Sequence, residues 1–535
     1  MSAVVVMRSG WLETPNALSL KNLSRQHPVA KKNLVANVLS RTVLSITAPL
    51  GGVSMNSTTD IVWLQNDLRV ADNPLLHFAF PPTYLLCLYV VDEQWFEPFL
   101  EGESTPRMGP ARLIFLWQSL MELRGELLQR GSDLLVRIGK PSDVVIELAC
   151  SLNVRQVRVA NHAGVDERAH IQQVASALPT DTMLDCMESG QLFDAHALPF
   201  AREALPGSFS AFRRSVEETC IIPTARSAPV TLPAWPDAPR GFPPLKAVCE
   251  QSARWQPDRR QSFAYKGGET AGHARLHEYL WRQRGGESYK KTRNGLLGAN
   301  FSTRVSPWLA SGCLSARQVN DAVKAWEAEN GSTESSYWIT FELLWREYFI
   351  KVAQQEGAEM FGSRQPVTPC SAFDAWRNAA TGLPFIDAAM TELRLTGWLS
   401  NRARQNVASF LVKDLNVDWR LGALWFEHCL IDYDVASNWG NWRYISGVGR
   451  DPRQDRYFNV LKQAGHYDPR GLYVAHWLTK LEKLPTGLER HQPWRAAPMT
   501  FTAPCVEPEQ WERWLIPLDK ADHTGEPHKK ISGVK

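Results

Sequence analysis

The sequence predicts two domains of different class: an α/β domain with a parallel, five-stranded, Rossmann-like sheet, then a large all-α body, joined by a long linker. Three observations carry this. Residues 60–187 alternate short β-rich runs with helical stretches, the rhythm of a parallel sheet. Residues 191–265 hold Pro223, Pro229, Pro233, Pro236, Pro239, Pro243 and Pro244 and show no sustained period. From residue 266 onward apolar residues recur at helical spacing.

Taken in order, residues 1–57 carry Arg8, Lys21, Arg25, Lys31, Lys32 and Arg41 against the single acid Glu13, with many serines. That is the composition of an organellar transit peptide, or of an upstream read-through ahead of a start at Met55. In the α/β domain, 58–190, strands are expected at 61–65, 83–91, 133–139, 154–160 and 182–187. Helices are expected near 107–129, from Ser142 and from Asp166. Neither GxGxxG nor GxxxxGK[ST] occurs, so no dinucleotide fingerprint or P-loop is present. After the linker, 191–265, the helical domain spans 266–485. Its expected helices are 269–283, one opened by the capping-box pattern Ser315 to Gln318, then 337–355, 385–395 and 399–415. Residues 486–535 form a C-terminal tail.

The chain has 535 residues, and 59 basic against 56 acidic side chains leave a net charge of only +3, so any nucleic-acid surface has to be local. Nine cysteines without a CxxC pair argue against a zinc site or a disulfide framework. Of 21 tryptophans, 16 follow residue 250, so the C-terminal half uses flat aromatic surfaces. No run approaches the roughly 18 apolar residues of a membrane span.

Several constellations could carry chemistry. Glu342, Trp345, Arg346 and Phe349 fall at i, i+3, i+4 and i+7 and share one helix face, suited to a polar aromatic ligand or simply to a Glu–Arg surface pair beside a core tryptophan. Asn401, Arg404 and Gln405 share a face on the next helix. Ser302, Thr303, Arg304 and Ser306 precede Pro307, where hydroxyls, backbone N–H groups and a guanidinium could hold phosphate; an ordinary helix N-terminus explains them equally well. His273 and His277, four apart, lack a third ligand motif, and surface histidines with no metal are expected. The segment 431–449, IDYDVASNWGNWRYISGVG, shows only fragments of helical period and is too polar and aromatic for a plain core: it reads either as the stretch the rest of the chain serves or as an irregular connection pinned by Asn and Gly turns, its aromatics capping a core edge. No Ser-His-Asp or Cys-His arrangement can be traced, so ordinary hydrolysis is not favoured.

The blocks IVWLQNDLRVADNPLL (61–76), GGETAGHARLHEYLW (267–281), YKKTRNGLLGANFSTRVSPWLASGCLS (289–315), FELLWREYF (341–349), TGLPFIDAAMTELRLTGWLSNRARQ (381–405) and DYDVASNWGNWRYISGVGRDPRQDRYFN (432–459) together resemble the photolyase/cryptochrome family, most closely its DASH branch. The resemblance implies an α/β antenna domain and a helical domain holding FAD. By similarity, Tyr289 and Ser302, Thr303, Arg304, Val305 and Ser306 contact the FAD phosphates and ribityl chain, and Arg346 closes the pocket. Asn401, Arg404, Asp432, Asp434 and Asn438 line the flavin, with Arg404 and Asp432 paired near the ring. Glu342, Trp345, Asn401, Gln405 and Tyr444 form the lesion pocket.

The implied function is light-driven splitting of cyclobutane pyrimidine dimers by electron transfer from reduced FAD; the alternative is a blue-light photoreceptor. Dimers are reached by base flipping, a family property. Gln405 and Tyr444 stand where duplex-repairing members carry Met and Trp, which implies a preference for single-stranded DNA. Trp442 and Trp419 match the first two members of the family's electron-transfer chain; the third position falls near Pro366, in FGSRQPVTPCSAF, where there is no tryptophan. The antenna glutamate that helps bind methenyltetrahydrofolate is replaced by Ala163, with Glu167 nearby. The partner implied is dimer-containing single-stranded DNA, with phosphate contacts from Arg402, Lys413, Arg443 and Arg450; the protein is expected to be a monomer with no membrane association. Its location would be cytoplasmic if bacterial, and chloroplast or mitochondrion if residues 1–57 are a transit peptide.

Overall fold

A computed structural model describes residues 5–7, 57–362, 366–450 and 457–517. Five parallel strands, β1 (Thr59–Leu64), β2 (Tyr84–Asp92), β3 (Leu134–Gly139), β4 (Gln156–Ala160) and β5 (Met183–Met187), lie in the order β5-β4-β1-β2-β3. A three-residue strand, Val5–Met7, adds parallel to the outer edge of β5, so the sheet has one strand more than expected. The remaining residues before 57, on which the transit-peptide reading falls, lie outside the described residues.

The strands read as nearly unbroken apolar runs because both faces are covered. Ile61, Trp63, Leu86 and Leu88 pack under α2 (Pro141–Ser151) and α3 (Val165–Ala177), with Val145, Leu148 and Val174. Val62, Leu64, Cys87 and Tyr89 pack under α1 (Pro110–Gln129) with Leu113, Leu116 and Leu120. That second core does not stop at α1: Phe115 meets Trp308 edge-on at 5.8 Å, and the same apolar cluster runs on into the helical body. The two domains share one core.

The linker is less irregular than its prolines suggest. It contains α4 (Phe209–Thr219), whose N-cap Ser208 accepts from the Ala211 N–H at 3.3 Å and whose Phe209, Phe212 and Val216 are buried. A signal of three buried apolar residues in eleven was masked by the flanking prolines. The helices of the body that build the site or pack on it are α5 (Glu269–His277), continued by a π-turn Glu278–Arg282, then α6 (Gly285–Thr292), α7 (Ala316–Asn330), α8 (Glu334–Glu356), α9 (Pro384–Thr396), α10 (Asn401–Ser409), continued by a π-turn Phe410–Asp414, α11 (Trp419–Cys429) and α12 (Val435–Ser446), with shorter helices between and after them. The box opening α7 is reciprocal: Ser315 Oγ accepts from Gln318 N at 3.1 Å and Gln318 Oε1 accepts from Ser315 N at 2.7 Å.

The segment read as an irregular connection is α12. Asp434 caps it by accepting from Ser437 N at 2.8 Å, and Gly447 stops it in the left-handed region at φ 86°. Its period was hidden because α8 and α11 pack on both sides and bury Ala436, Asn438, Trp439, Gly440, Trp442 and Ile445.

The domains meet tightly at Gly312, whose φ is +71° and where a Cβ would lie 2.0 Å from the Asn66 carbonyl oxygen. Only glycine satisfies both the backbone angle and the approach. Across the same junction Arg69 Nη1 donates to Gly312 O at 2.9 Å and Leu68 N to Ser311 O at 3.3 Å.

Candidate active site

The helical body encloses a cavity of about 460 Å³ opening into a recess of about 100 Å³. Tyr289 reaches it from α6; Ser302, Thr303, Arg304, Val305 and Ser306 from the loop entering a short helix, Ser306–Ala310; Glu342, Trp345 and Arg346 from α8; Asn401, Arg404 and Gln405 from α10; Asp432 and Asp434 from the start of α12, and Tyr444 from its last turn. Asn438 lines the adjoining recess, which Trp442 also reaches. Residues from 289 to 444 thus converge on one space.

Its polar floor is an ion pair. Arg404 Nη2 donates to Asp432 Oδ1 at 2.9 Å and Oδ2 at 2.8 Å, Arg404 Nε to Leu399 O at 2.8 Å, and Ser306 Oγ to Asp432 Oδ2 at 2.7 Å. The Asn438 amide nitrogen donates to the Ala423 carbonyl at 3.0 Å, which leaves the amide oxygen as the edge for the recess. Among the described residues, the Ser302 and Thr303 hydroxyls make no hydrogen bond within the protein. Arg304 does not reach out as a free cation. At φ +57° its guanidinium lies 3.9 Å over Trp398 and donates to Gly298 O at 2.7 Å and Tyr265 Oη at 3.2 Å, so it fixes the loop from behind.

At the mouth, Trp345 stacks on Phe209 of α4 with centroids 3.7 Å apart and planes 12° apart, and meets Tyr444 edge-on at 5.8 Å. Glu342 does not pair with Arg346 along the helix; it pairs with Arg293, just past α6. Protein packed around the Glu342 carboxyl raises its pKa above the ordinary carboxylate value, against the pull of Arg293. Arg346 donates to Gly190 O at 3.2 Å and Leu309 O at 3.3 Å, and its Nη2 lies 3.5 Å from Asp434. Burial pushes the Tyr289 hydroxyl well above its usual range, so it stays a neutral donor.

Sequence reasoning missed Phe209, Arg293 and Trp398. Arg293 follows Tyr289 by four positions, a spacing that puts both on one helix face and could have found it; Phe209 had no signal, because its contact with Trp345 depends on how the linker crosses the body. The expected phosphate contacts are partly engaged elsewhere: Arg443 and Arg450 converge on Glu356, and Arg402 lies 4.5 Å over Tyr467. His277 stacks on Trp281 at 5.0 Å and His273 sits 3.8 Å from Glu269.

A second cavity, about 680 Å³, lies at the carboxyl ends of β1, β2 and β4, where the sheet order reverses and open α/β sheets characteristically bind ligands. Glu167 and His162 line it; Ala163 is buried and does not. The helical body supplies Glu427, Tyr433 and Trp439 to its other wall. Trp442 is buried, edge-on to Phe426 at 5.1 Å and Trp376 at 6.2 Å, while Trp419 lies edge-on to Trp439 at 5.7 Å. Among the described residues no group of three or more His, Cys, Asp or Glu is placed to hold a metal, and no helix is long and apolar enough to cross a membrane.

Residues 60–234 match the family model described as DNA photolyase, and residues 338–524 the one described as FAD binding domain of DNA photolyase. The chain is 43% identical over 457 residues to Cryptochrome DASH of Gloeobacter violaceus, covering 83% of this chain and 90% of that one. It is 40% identical over 461 residues to Cryptochrome DASH, chloroplastic/mitochondrial, of Arabidopsis thaliana, covering 83% and 79%. The solved structure of the Synechocystis sp. PCC6803 cryptochrome superposes with a TM-score of 0.75 at 38% identity, over 85% of this chain and 94% of that one.

Proposed function

The chain belongs to the photolyase/cryptochrome family, in its cryptochrome DASH branch, and on that premise we propose a light-driven photolyase that splits cyclobutane pyrimidine dimers, preferentially in single-stranded DNA. The observation that carries the reading is the union, in one cavity, of an ion-paired polar floor and an aromatic mouth formed by Trp345 and Tyr444.

The donor set fits FAD. The unengaged hydroxyls of Ser302 and Thr303 suit its phosphates, and the inward oxygen of Asn438 suits an N–H donor such as a reduced flavin presents. Arg404 sets a positive charge beside the ring site, held in place by Asp432. When bound, reduced FAD supplies the light-excited electron that a dimer accepts and returns. The chain's own residues do the rest. Trp345, backed on one side by Phe209, offers its remaining surface to a flipped pyrimidine, Tyr444 bounds the pocket, and Glu342 and Asn401 offer hydrogen bonds to base edges. Gln405 and Tyr444 make this pocket more polar than one with Met and Trp, so it compensates less for unstacking a base from a duplex. Single strands present that base at lower cost.

A folate-type second chromophore, methenyltetrahydrofolate, would occupy the cavity between the domains, with Glu167 rather than Ala163 offering the carboxylate. A purified sample with no near-ultraviolet absorption beyond the flavin bands removes that part. The functional partner is single-stranded DNA met by a monomer. The decisive experiment is light-dependent dimer repair by purified protein on single-stranded and duplex oligonucleotides. Faster repair on single strands is expected. Equal rates overturn the preference, and no repair on either leaves blue-light reception as the function.

A further inference from the structure

In the electron-transfer path the third position, Pro366, offers no aromatic ring. It lines a surface cleft of about 450 Å³ together with Phe361, Arg420 and Trp439. The two tryptophans matched to the inner positions lie on or against α11. Trp442 lies on Gly422, where an added Cβ would be 2.2 Å from its Cη2, and Trp419 sits one turn before Gly422 on α11.

From Trp419 the next aromatic in contact is Trp439, edge-on at 5.7 Å. The Trp439 Nε1–H donates to Tyr433 Oη at 3.3 Å, and Tyr433 Oη–H donates to Glu427 Oε2 at 3.0 Å. Arg112 lies 4.4 Å over the Tyr433 ring, and Arg107 Nη2 lies 3.2 Å from Glu427 Oε1. A guanidinium over the ring disfavours positive charge there, so Tyr433 gives up an electron readily only if its proton leaves with it. Glu427 is the acceptor within reach.

We propose that Trp439 takes the third place in the relay and that Tyr433 ends it, with Glu427 accepting the phenolic proton. This rests on the flavoprotein reading above. The oxidant is a photo-excited oxidised flavin, which draws one electron through Trp442, Trp419 and Trp439. In the last step the Trp439 radical cation is reduced to neutral indole and Tyr433 is oxidised by one electron. The Tyr433 O–H bond breaks, and its proton forms an O–H bond on Glu427, leaving a neutral tyrosyl radical beside a neutral acid. A small thiolate reductant entering the cavity between the domains, which Tyr433 lines, then gives one electron to the tyrosyl oxygen and becomes a thiyl radical, while the proton returns from Glu427 to re-form the Tyr433 O–H bond.

The test is pulsed blue light on FAD-loaded protein with its flavin oxidised, read by electron paramagnetic resonance and transient absorption in H2O and D2O. Wild-type protein is expected to give a neutral tyrosyl radical that forms more slowly in D2O. Tyr433→Phe, which keeps the ring and its packing, should lose that signal and leave a tryptophan radical that recombines at least tenfold faster. Trp439→Phe should lose the tyrosyl signal and shorten charge separation further. A tyrosyl signal that survives in Tyr433→Phe, its absence in wild type, or an unchanged radical lifetime in Trp439→Phe overturns the proposal. Repair by chemically pre-reduced wild-type protein tests the enzymatic reading separately, because that reaction bypasses the relay.

Discussion

Replacing Asp432 with alanine removes the acceptor of two Arg404 contacts, at 2.9 and 2.8 Å, and of the Ser306 hydroxyl at 2.7 Å. Deleting one member of a buried ion pair costs about 3–5 kcal/mol. The Arg404 side chain is 23% exposed, so water partly screens the orphaned charge and about 3 kcal/mol is the expected loss. Because the two domains share one core, the unfolding unit is about twice the size for which each kcal/mol moves the midpoint by about 2–4 °C, so each moves it by about 1–2 °C and FAD-free Asp432→Ala should melt about 3–6 °C below wild type. Asp432→Asn keeps an oxygen for Ser306 and should lose about half as much. Scanning calorimetry of both variants, of Arg404→Ala and of the double variant closes a cycle in which the two single losses should fail to add. An Asp432→Ala midpoint within about 1 °C of wild type, or strictly additive losses, would refute the assignment of the pair as the cavity's structural floor.

Three further outcomes are expected. Burial pushes the Glu392 carboxyl up to about 7, against a hydrogen bond from Tyr473 Oη at 2.7 Å, so the folded state holds a proton that the unfolded chain releases near its ordinary carboxylate value. Stability from this group is therefore present at low pH and is lost as pH rises to about 7; Glu392→Gln should gain on wild type across that window by a few kcal/mol at most, and urea midpoints that move in parallel from about pH 5 to 8 would count against it. Gly312→Ala forces a Cβ onto Asn66 O, so it should cost roughly 2 kcal/mol or more and speed proteolysis within the linker; wild-type protease resistance would show that the junction yields easily. Trp345→Ala should weaken binding of a single-stranded, dimer-containing oligonucleotide about 10- to 100-fold while the flavin spectrum is retained, and Phe209→Ala should have a smaller effect of the same sign; unchanged affinity in both would remove the aromatic mouth from recognition.

The sheet and most helices of the body were legible because their signals are local. β-rich runs between helices, a capping box at Ser315 and Gln318, and helical spacing after residue 266 each depend on neighbouring residues. The convergence of Tyr289, Arg346 and Asp432 on one cavity was legible only through the motif resemblance, since no short-range pattern links positions that far apart. What stayed hidden had physical reasons. The α12 helix is packed between α8 and α11, and its buried face mixes Asn438 with Trp439 and Trp442, which blurs the period. The Phe209–Trp345 stack joins a linker residue to a helix more than a hundred positions later. The Arg293–Glu342 pair replaced the nearer Arg346 because Arg346 is occupied by carbonyls and by Asp434.

The single core running through α1 also bears on how this architecture can be recombined. A graft of the N-terminal domain onto another relative, cut within the proline-rich linker, would sever Phe115 from Trp308 and expose apolar surface on both fragments. Chimaeras should therefore carry α1 together with the helices it touches. By the same logic, substitutions in Phe115 or Trp308 would be accepted over evolutionary time chiefly as matched pairs, which makes this seam a place to look for compensating changes between relatives.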